Sequence, residues 1–512
     1  MTRITALTLA AIVLLIAAGC APGPQGPGTG APAPAGADWS KVVDPRTLEA
    51  GPLDFTPPAV ERLVLENGMV LYLLEDHMLP LVKIYAVVRA GAIYEPPEKA
   101  GLAQLTGAVM RTGGTQTMTP GQVDDALEFV AAQVGVSIER ERGTVTLDVL
   151  RKDLDTGLSI FADIMRRPRF DESKIALHKA QLAESFRREN DDPVDTLFRE
   201  FRELLYATHP YARRVSGYPA TVAAIGRDDL IAYHARMFHP NTIIMGVSGD
   251  FKRDEILEKL RAAFDDWPRA EIDIPEPPPV PGEFVRTLAF VDKNIVQANI
   301  VIGHLGIDRL DADYYAAYVL NEILGGSGFS SRLMENVRTK AGLAYSVGSQ
   351  FYAPRYPGFF FAYCFTKTEA TAQASRMVLD ELDRVRRELV TTEEFERAKQ
   401  AIENQFIFRF ETAERIVQQK VVIEYMGLPM DYLERYLDII RAITREDLQR
   451  VAQRLIHPDR ATVLIIGPPE ALDGFPEEFG EFAPVTLDET PVSHLISKEA
   501  PPPDGDTPDK IE

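Results

Sequence analysis

The chain has 512 residues, of which 45% are hydrophobic, and a formal net charge of −21 at pH 7. This length and hydrophobic content are enough to form more than one folded core. The acidic excess, with no basic stripe to neutralise phosphates, argues against a nucleic-acid-binding function.

Residues 1–20 have the features of a bacterial secretion signal. Arg3 precedes an apolar run, Ala6 to Ala18, that is too short to remain as a membrane-spanning helix. The run ends in a sequence similar to the lipobox, which predicts cleavage before Cys20 and lipidation of its thiol. An ordinary signal peptide with a chance cysteine is the alternative. Residues 21–56 are rich in Ala, Pro and Gly, and this composition predicts an extended tether.

The first folded elements are predicted from a hairpin signal. Two apolar runs, 63–66 and 69–74, flank Asn67-Gly68, and this dipeptide favours a tight turn between antiparallel strands. Residues 82–89 predict a third strand.

A helix is predicted within residues 98–115, where Leu102, Leu105 and Val109 recur at helical spacing. Strands followed by helices are typical of an α+β fold, in which helices pack on one face of a mostly antiparallel sheet. The remaining elements predicted in this region are helices at 121–135, 151–166 and 171–190 and a strand pair within 136–150.

One motif occurs twice. Each copy has a charged helix start, a His-Pro pair and a strand that ends in glycine, and the copies begin at Arg227 and Arg445. The same interval separates the other matching positions, which are His239 and His457, and Gly249 and Gly467.

This repeat predicts two homologous halves, at 57–265 and 286–470. Between them, residues 266–285 are rich in proline and predict a stiff linker. Residues 471–512 turn to Pro, Asp, Glu and Lys and predict a largely disordered C-terminal tail.

Several short motifs follow one another along residues 57–470. They are Leu65-Glu66-Asn67-Gly68, Ala90-Gly91, Gly101-Leu102-Ala103, Asp192-Pro193, His209-Pro210-Tyr211 and Gly249-Asp250. Their order, together with the duplication, resembles the pitrilysin/insulinase (M16) peptidase family. The resemblance implies a pair of homologous α+β halves that close like a clamshell around a peptide, and in active relatives a zinc ion held by a His-x-x-Glu-His helix.

The predicted helix within 98–115 departs from that motif. Its three positions read Gln104, Gly107 and Ala108, so both imidazole ligands and the carboxylate base are missing. The family's third ligand falls on Glu184, which is either a relic ligand or a surface carboxylate. None of the eight histidines belongs to a His-x-x-Glu-His or His-Glu-x-x-His motif. We therefore expect no catalytic residue, no metal site and no cofactor in this chain.

The second half resembles the family segment that carries a peptide-binding arginine and tyrosine. Arg338 and Tyr345 match that spacing, and the resemblance implies that they donate hydrogen bonds to a substrate carbonyl and its developing oxyanion. An exposed helix arginine and a sheet-packed tyrosine are the alternative. Upstream, Gly325, Gly326 and Gly328 resemble a shortened form of a glycine-rich peptide-binding loop, or else form a helix C-cap and turn.

These features predict the non-catalytic subunit of an M16 heterodimer, inactive alone, whose partner subunit brings the zinc and with which it forms a chamber for unfolded peptides. We expect a lipid-anchored protein of the bacterial envelope. Ala21 gives no inner-membrane retention signal, which favours the outer membrane. Two alternatives stay open: a stand-alone peptide-binding or scaffold protein, and a zinc peptidase with unconventional ligands.

Overall fold

The computed structural model describes residues 55–280, 286–476 and 479–487. The predicted signal segment, Cys20 and nearly all of the predicted tether lie outside the described residues. Residues 488–512 of the predicted tail lie outside them as well. No helix in the described ranges is long and apolar enough to cross a membrane.

The first half is built on a six-stranded sheet with the order β1-β2-β6-β3-β5-β4. Neighbouring strands are antiparallel except β2 and β6, which run parallel. The predicted hairpin is confirmed, because Val64 pairs with Val70 on either side of the Asn67-Gly68 turn. The strands are β1 (Glu61–Val64), β2 (Val70–Glu75), β3 (Leu81–Val88), β4 (Gln133–Ile138), β5 (Gly143–Leu150) and β6 (Ile243–Gly249).

Helices of the first half begin with α1, which starts at Leu102 inside the predicted range and ends at Thr112. They are α1 (Leu102–Thr112), α2 (Pro120–Phe129), α3 (Leu154–Arg166), α4 (Glu172–Arg188), α5 (Pro193–Tyr206), α6 (Pro219–Ala224), α7 (Arg227–Met237) and α8 (Arg253–Phe264).

The helix predicted at 121–135 is shorter in the structure. Its start agrees with the prediction, and there Thr119 and Gln122 form a reciprocal capping box. However, α2 ends at Phe129, and Ala131 turns the chain with a φ of 51°. The residues after that turn belong to β4, an edge strand that contains both exposed and buried positions.

The second half repeats this plan with a sheet of order β12-β7-β11-β8-β10-β9. Its elements are β7 (Thr287–Asp292), β8 (Gln297–Leu305), α9 (Tyr314–Asn321), β9 (Ala344–Tyr352), β10 (Phe359–Lys367), α10 (Thr371–Arg387), α11 (Thr392–Phe406), α12 (Ala413–Tyr425), α13 (Tyr432–Ala442), α14 (Arg445–Leu455), β11 (Thr462–Gly467) and β12 (Ala483–Pro484). Two π-helical segments, Glu322–Gly326 and Met334–Lys340, lie between α9 and β9.

The two sheets correspond strand for strand except at one edge. The order β2-β6-β3-β5-β4 of the first sheet matches β7-β11-β8-β10-β9 of the second. At the remaining edge the first sheet uses β1, whereas the second uses β12, from a segment that the sequence assigned to the tail. The predicted fold class is thus confirmed: α+β, with two homologous halves, each a mostly antiparallel sheet with helices.

Each half also covers the sheet of the other. Helix α12 of the second half packs on the first sheet, where Val417 and Val421 join Tyr72 and Val87 in one buried cluster. Helix α5 of the first half packs on β8 and β11 of the second sheet. Because these equivalent helices are exchanged, the two halves share their apolar surfaces rather than meeting only at a polar boundary.

One glycine makes the first of these packings possible. A Cβ at Gly246, in the middle of β6, would lie 2.1 Å from Cγ1 of Val417 on α12. Real Cβ atoms do not approach other atoms so closely, so only glycine lets the helix approach the strand to this depth.

Candidate functional site

A buried glutamate fixes the start of α1. The Glu95 carboxylate accepts hydrogen bonds from the backbone N–H groups of Gly101, at 2.9 Å, and Ala103, at 2.8 Å. These donors belong to the first turn of the helix, where N–H groups have no intrahelical partner. Burial raises the pKa of Glu95 to about 8, although the two N–H bonds oppose the shift. Sequence reasoning missed this residue, whose only signal was an acidic side chain shortly before a predicted helix.

The three positions of the zinc motif lie on α1 as predicted, but their surroundings do not suit a metal. Gln104 is exposed and Ala108 is half-buried. Gly107 is buried against β4, and a Cβ there would lie 3.1 Å from the backbone nitrogen of Ile138 and 3.0 Å from its Cγ1. A side chain at the position of the motif's catalytic base would therefore require Ile138 to shift by a few tenths of an ångström.

Glu184, at the family's third ligand position, is already paired. It lies on α4 and accepts hydrogen bonds from Arg187 and, at 2.9 Å, from Nε of Arg188. His178, on the same helix, shares a 2.8 Å hydrogen bond with the hydroxyl of Thr112 at the end of α1.

No group of three His, Cys, Asp or Glu side chains that could hold a metal ion occurs within the described ranges. A zinc ion needs about four such donors in a structural site and three in a catalytic one. The residues present at the family's zinc position do not fit the ion.

Arg338 and Tyr345 come together in the second half. Arg338 lies in the π-helical segment Met334–Lys340, and its guanidinium carbon is 5.9 Å from the centroid of the Tyr345 ring on β9. It also lies 5.2 Å from the centroid of the Phe329 ring. Both rings are largely exposed, Tyr345 at 73% and Phe329 at 76%. The structure thus presents a cation close to two exposed aromatic rings, and Phe329 is a member that sequence reasoning did not identify.

Two features of the backbone shape this cluster. π-Helical turns are rare and often occur at functional sites, and here one of them, Met334–Lys340, carries Arg338. Tyr345 lies near the start of β9, which is an edge strand of the second sheet with one side unpaired within the described ranges. The cluster of Phe329, Arg338 and Tyr345 is therefore next to a sheet edge that has free backbone groups.

The three glycines upstream have different surroundings. A Cβ at Gly325 would lie 2.3 Å from the backbone nitrogen of Ser349 on β9, so this glycine allows the π-helical segment to pack closely on the strand. Gly326 is close to Asn321. Gly328 has a φ of +56° with open space around it. A packing role is therefore evident for Gly325, and peptide contact by Gly326 and Gly328 stays a prediction.

Comparisons with known proteins agree with this architecture. The family model described as Insulinase (Peptidase family M16) matches residues 72–217, and the model described as Peptidase M16 inactive domain matches residues 224–402. An uncharacterized zinc protease of Rickettsia bellii is 24% identical over 420 residues, which are 80% of this chain and 98% of the relative.

Two further matches have the words non-peptidase or inactive in their names. A Helicobacter pylori protein named Non-peptidase homolog YmxG is 25% identical over 73% of this chain and 86% of its own length. The crystal structure of a peptidase M16 inactive domain from Pseudomonas fluorescens superposes with a TM-score of 0.73 and 25% identity, covering 80% of this chain and 98% of that one. With successive M16 models matching both halves and the same two-half fold in a solved structure, the chain belongs to the M16 (insulinase) peptidase family.

Proposed function

We propose that this chain is the non-catalytic subunit of an M16 peptidase, and that it supplies Arg338 and Tyr345 to a peptide site whose zinc is held by a partner chain. The observation that carries the proposal is a contrast between the two halves. The motif positions Gln104, Gly107 and Ala108 carry no ligand that fits zinc, while the half-buried Arg338 lies against the exposed ring of Tyr345.

The chemistry of Arg338 suits this role. Within the described ranges it forms no ion pair with a carboxylate; its guanidinium donates to Sδ of Met334 at 3.6 Å and lies close to the two aromatic rings. An arginine carries several N–H donors in a fixed plane. Donors that face a peptide carbonyl can stabilise the negative charge that develops on its oxygen during hydrolysis. Arg338 and the hydroxyl of Tyr345 provide such donors, and the partner's zinc site provides the rest.

The family comparison gives limited support to an inactive subunit. The H. pylori relative carries the name of a non-peptidase homologue, whereas the R. bellii relative is named as a zinc protease. The direct observation in this chain is the set of residues on α1. We therefore base its proposed inactivity on Gln104, Gly107 and Ala108 rather than on the relatives.

We also propose that the subunit is anchored in the bacterial envelope through a lipid on Cys20, most consistent with the outer membrane. The support is the sequence alone, namely the apolar run that ends at this cysteine and Ala21 after it. Replacing Cys20 by Ser should move the protein from the membrane fraction to the soluble fraction. A protein that stays in the membrane fraction after this change would contradict the lipid anchor.

The central test is purification of the tagged chain from its native membranes with whatever it binds. We expect a second M16 protein that contains His-x-x-Glu-His, and peptidase activity on an unfolded peptide that a zinc chelator abolishes. Arg338→Ala should lower kcat/KM by about 100-fold or more, as expected for the loss of an oxyanion donor. Lys340→Ala is the matched control, because Lys340 lies in the same segment but pairs with Glu335.

Two results would contradict the partner role. One is recovery of no zinc-bearing M16 protein, and the other is peptidase activity that Arg338→Ala leaves unchanged. Stoichiometric zinc in the lone chain, with proteolysis, would instead support a peptidase with unconventional ligands.

A stand-alone peptide-binding protein is the second candidate function. The observation that favours it is the free edge of β9, which begins beside Tyr345, because an extended peptide can add to such an edge through backbone hydrogen bonds. Retention of an unfolded peptide by the purified chain without any partner would favour this candidate over the first.

A further inference from the structure

A cleft of about 720 Å³ lies between the two halves, well within the range of small-molecule sites. We call it the interdomain cleft. The first half contributes Tyr85 and the β4–β5 turn, residues 139–142, and the second half contributes α12 and the residues around it. The side chains that the following argument uses are Arg140, Arg142, Arg309, Arg409, Arg415, Glu139, Glu141, Val422, Ile423, Met426 and Leu433.

Arginines dominate the charge of this cleft. Five arginines and two glutamates line it, although the whole chain has a net charge of −21. Within the described ranges, Arg415 is the member of this set that pairs with a carboxylate, that of Glu411. Arg140, Arg142, Arg309 and Arg409 form no such ion pair there.

Aromatic rings and hydroxyls hold two of these arginines in place. The guanidinium carbon of Arg309 lies 3.6 Å from the centroid of the Tyr314 ring, and its Nη2 donates to the hydroxyl of Tyr432 over 2.6 Å. Arg409 lies 4.5 Å from the ring of Tyr436 and donates to that hydroxyl over 3.3 Å. Neutral partners orient a guanidinium without cancelling its charge.

Arg309 also has an unused donor. Its Nη1 is buried and has no hydrogen-bond partner among the described residues. A buried polar group without a hydrogen-bond partner costs about 1–3 kcal/mol, and this Nη1 atom is itself shielded from solvent. The same side chain lines the cleft.

The two glutamates do not neutralise the site. Glu141 accepts hydrogen bonds from the hydroxyl of Tyr211 and from the backbone N–H of Arg355 at 3.2 Å, and it forms no ion pair with an arginine among the described residues. Glu139 is exposed to solvent. An anion that enters the cleft therefore meets cations whose charge is largely unopposed.

The opposite character is found on the helix side of the cleft. Val422, Ile423 and Met426 come from α12 and the residue after it, and Leu433 comes from α13. Burial of an apolar group against such a surface is favourable by about 25 cal/mol per Å². The cleft therefore combines free guanidinium groups with an apolar wall.

From this combination we propose that the interdomain cleft binds an amphipathic organic anion, whose carboxylate or phosphate group is held by Arg142, Arg309 and Arg409 and whose apolar part lies against α12. The site is separate from Arg338 and Tyr345, and it does not depend on the peptidase partnership proposed above. Arginine is the side chain best suited to hold such groups, because its planar fork matches both carboxylate and phosphate oxygens.

Calorimetric titration of the purified chain tests the proposal with three probes. Acetyl-leucyl-phenylalanine represents a peptide carboxylate, octyl phosphate represents a phosphate ester, and acetyl-leucyl-phenylalaninamide is the neutral control. We expect one or both anions to bind at least tenfold more tightly than the amide. Preference for the first anion would identify a peptide terminus as the ligand, and preference for the second would identify a phosphate ester.

Variants then locate the binding. Arg309→Gln should lower the affinity for the preferred anion by about tenfold or more, the usual loss for a charge-assisted hydrogen bond. Arg142→Gln, on the β4–β5 turn, should act in the same direction and serves if Arg309→Gln fails to fold. Arg415→Gln is the matched control, since it lines the same cleft but is already paired with Glu411, and it should change affinity by less than about twofold.

The proposal fails if neither anion binds at millimolar concentration, if the amide binds as tightly as the acids, or if both arginine variants bind like the wild-type chain. The titration uses the lone chain, so its outcome does not depend on whether the proposed peptidase partner exists.

Discussion

Tyr206 and Tyr425 end the two exchanged helices, and each donates its hydroxyl over 3.0 Å to a backbone carbonyl in a hairpin of the opposite half. Tyr206, at the end of α5, reaches Pro357 between β9 and β10, and Tyr425, at the end of α12, reaches Glu141 between β4 and β5. Burial raises the pKa of both tyrosines, so both remain protonated donors. The duplication thus extends to single hydrogen bonds between the halves.

Removing these hydroxyls should weaken the contact between the halves. We expect Tyr206→Phe and Tyr425→Phe each to lower the free energy of unfolding by about 1 kcal/mol, because each leaves a carbonyl without its partner. Urea denaturation followed by circular dichroism measures the loss. Tyr345→Phe is the control, because Tyr345 is exposed, and it should change stability by less than about 0.5 kcal/mol. Equal stability of all three variants would show that the hydroxyls contribute nothing.

Restoring the motif glutamate on α1 should damage the fold. Gly107→Glu places a side chain at a position where even its Cβ would lie 3.1 Å from the backbone nitrogen of Ile138. We expect a loss of about 1–3 kcal/mol in the free energy of unfolding, the usual cost of overpacking. Gln104→Glu, at an exposed position of the same helix, should remain within about 0.5 kcal/mol of the wild type. Should Gly107→Glu prove as stable as this control, β4 would have room to move away.

The glycines before Arg338 should differ in their tolerance of alanine. Gly325→Ala should cost about 2 kcal/mol or more, because its Cβ would lie 2.3 Å from the backbone nitrogen of Ser349. Gly328→Ala should cost about 1 kcal/mol, from its positive φ alone, because nothing lies within 4 Å. Thermal unfolding of both variants checks the order. The reverse order would mean that the π-helical segment does not pack on β9 as described.

Glu95 should make stability depend on pH. Burial raises its pKa to about 8 from an ordinary value of 4.5, so the folded chain binds this proton more tightly than the unfolded chain does. The stability that this proton adds to the folded chain is complete below pH 4.5 and is lost as the pH rises through 8. The slope is at most about 1.4 kcal/mol per pH unit.

The matched variant for this pH effect is Glu95→Gln, which cannot titrate. The wild-type chain should lose stability relative to Glu95→Gln between pH 5 and pH 8, as measured by urea denaturation at several pH values. The variant itself should be less stable at the acidic end, because its amide nitrogen cannot accept the N–H bond that one carboxyl oxygen of Glu95 accepts. A stability difference that does not vary with pH would contradict the buried, titrating carboxylate.

Local signals predicted the elements that depend on few residues. The Asn67-Gly68 turn, the strand at 82–89 and the repeated His-Pro motif were all predicted, because turn chemistry and periodicity act over short distances. The end of α2 was missed, since Ala131 in a left-handed conformation has no clear sequence signal. The assignment of Gln104, Gly107 and Ala108 to the zinc motif depends on the family resemblance and stays a prediction.

Long-range features could not be read in the same way. An amphipathic pattern shows that α12 has an apolar face, but not that this face covers the sheet of the other half. Arg338 and Tyr345 were named from the family resemblance, whereas their contact and the contribution of Phe329 are seen only in the folded chain. The unpaired arginines of the interdomain cleft are scattered from residue 140 to residue 409, and only the folded chain brings them together.

Each half contributes a helix that covers the sheet of the other half, so a half on its own would have an uncovered apolar surface. Cleavage of the chain at 281–285, followed by separation of the halves, would expose Tyr72 and Val87 to water. A single half produced alone would need the equivalent helix of a second molecule, and two such molecules would form a reciprocal dimer. Fusing the two copies in one polypeptide turns that bimolecular assembly into an intramolecular one, at high effective concentration.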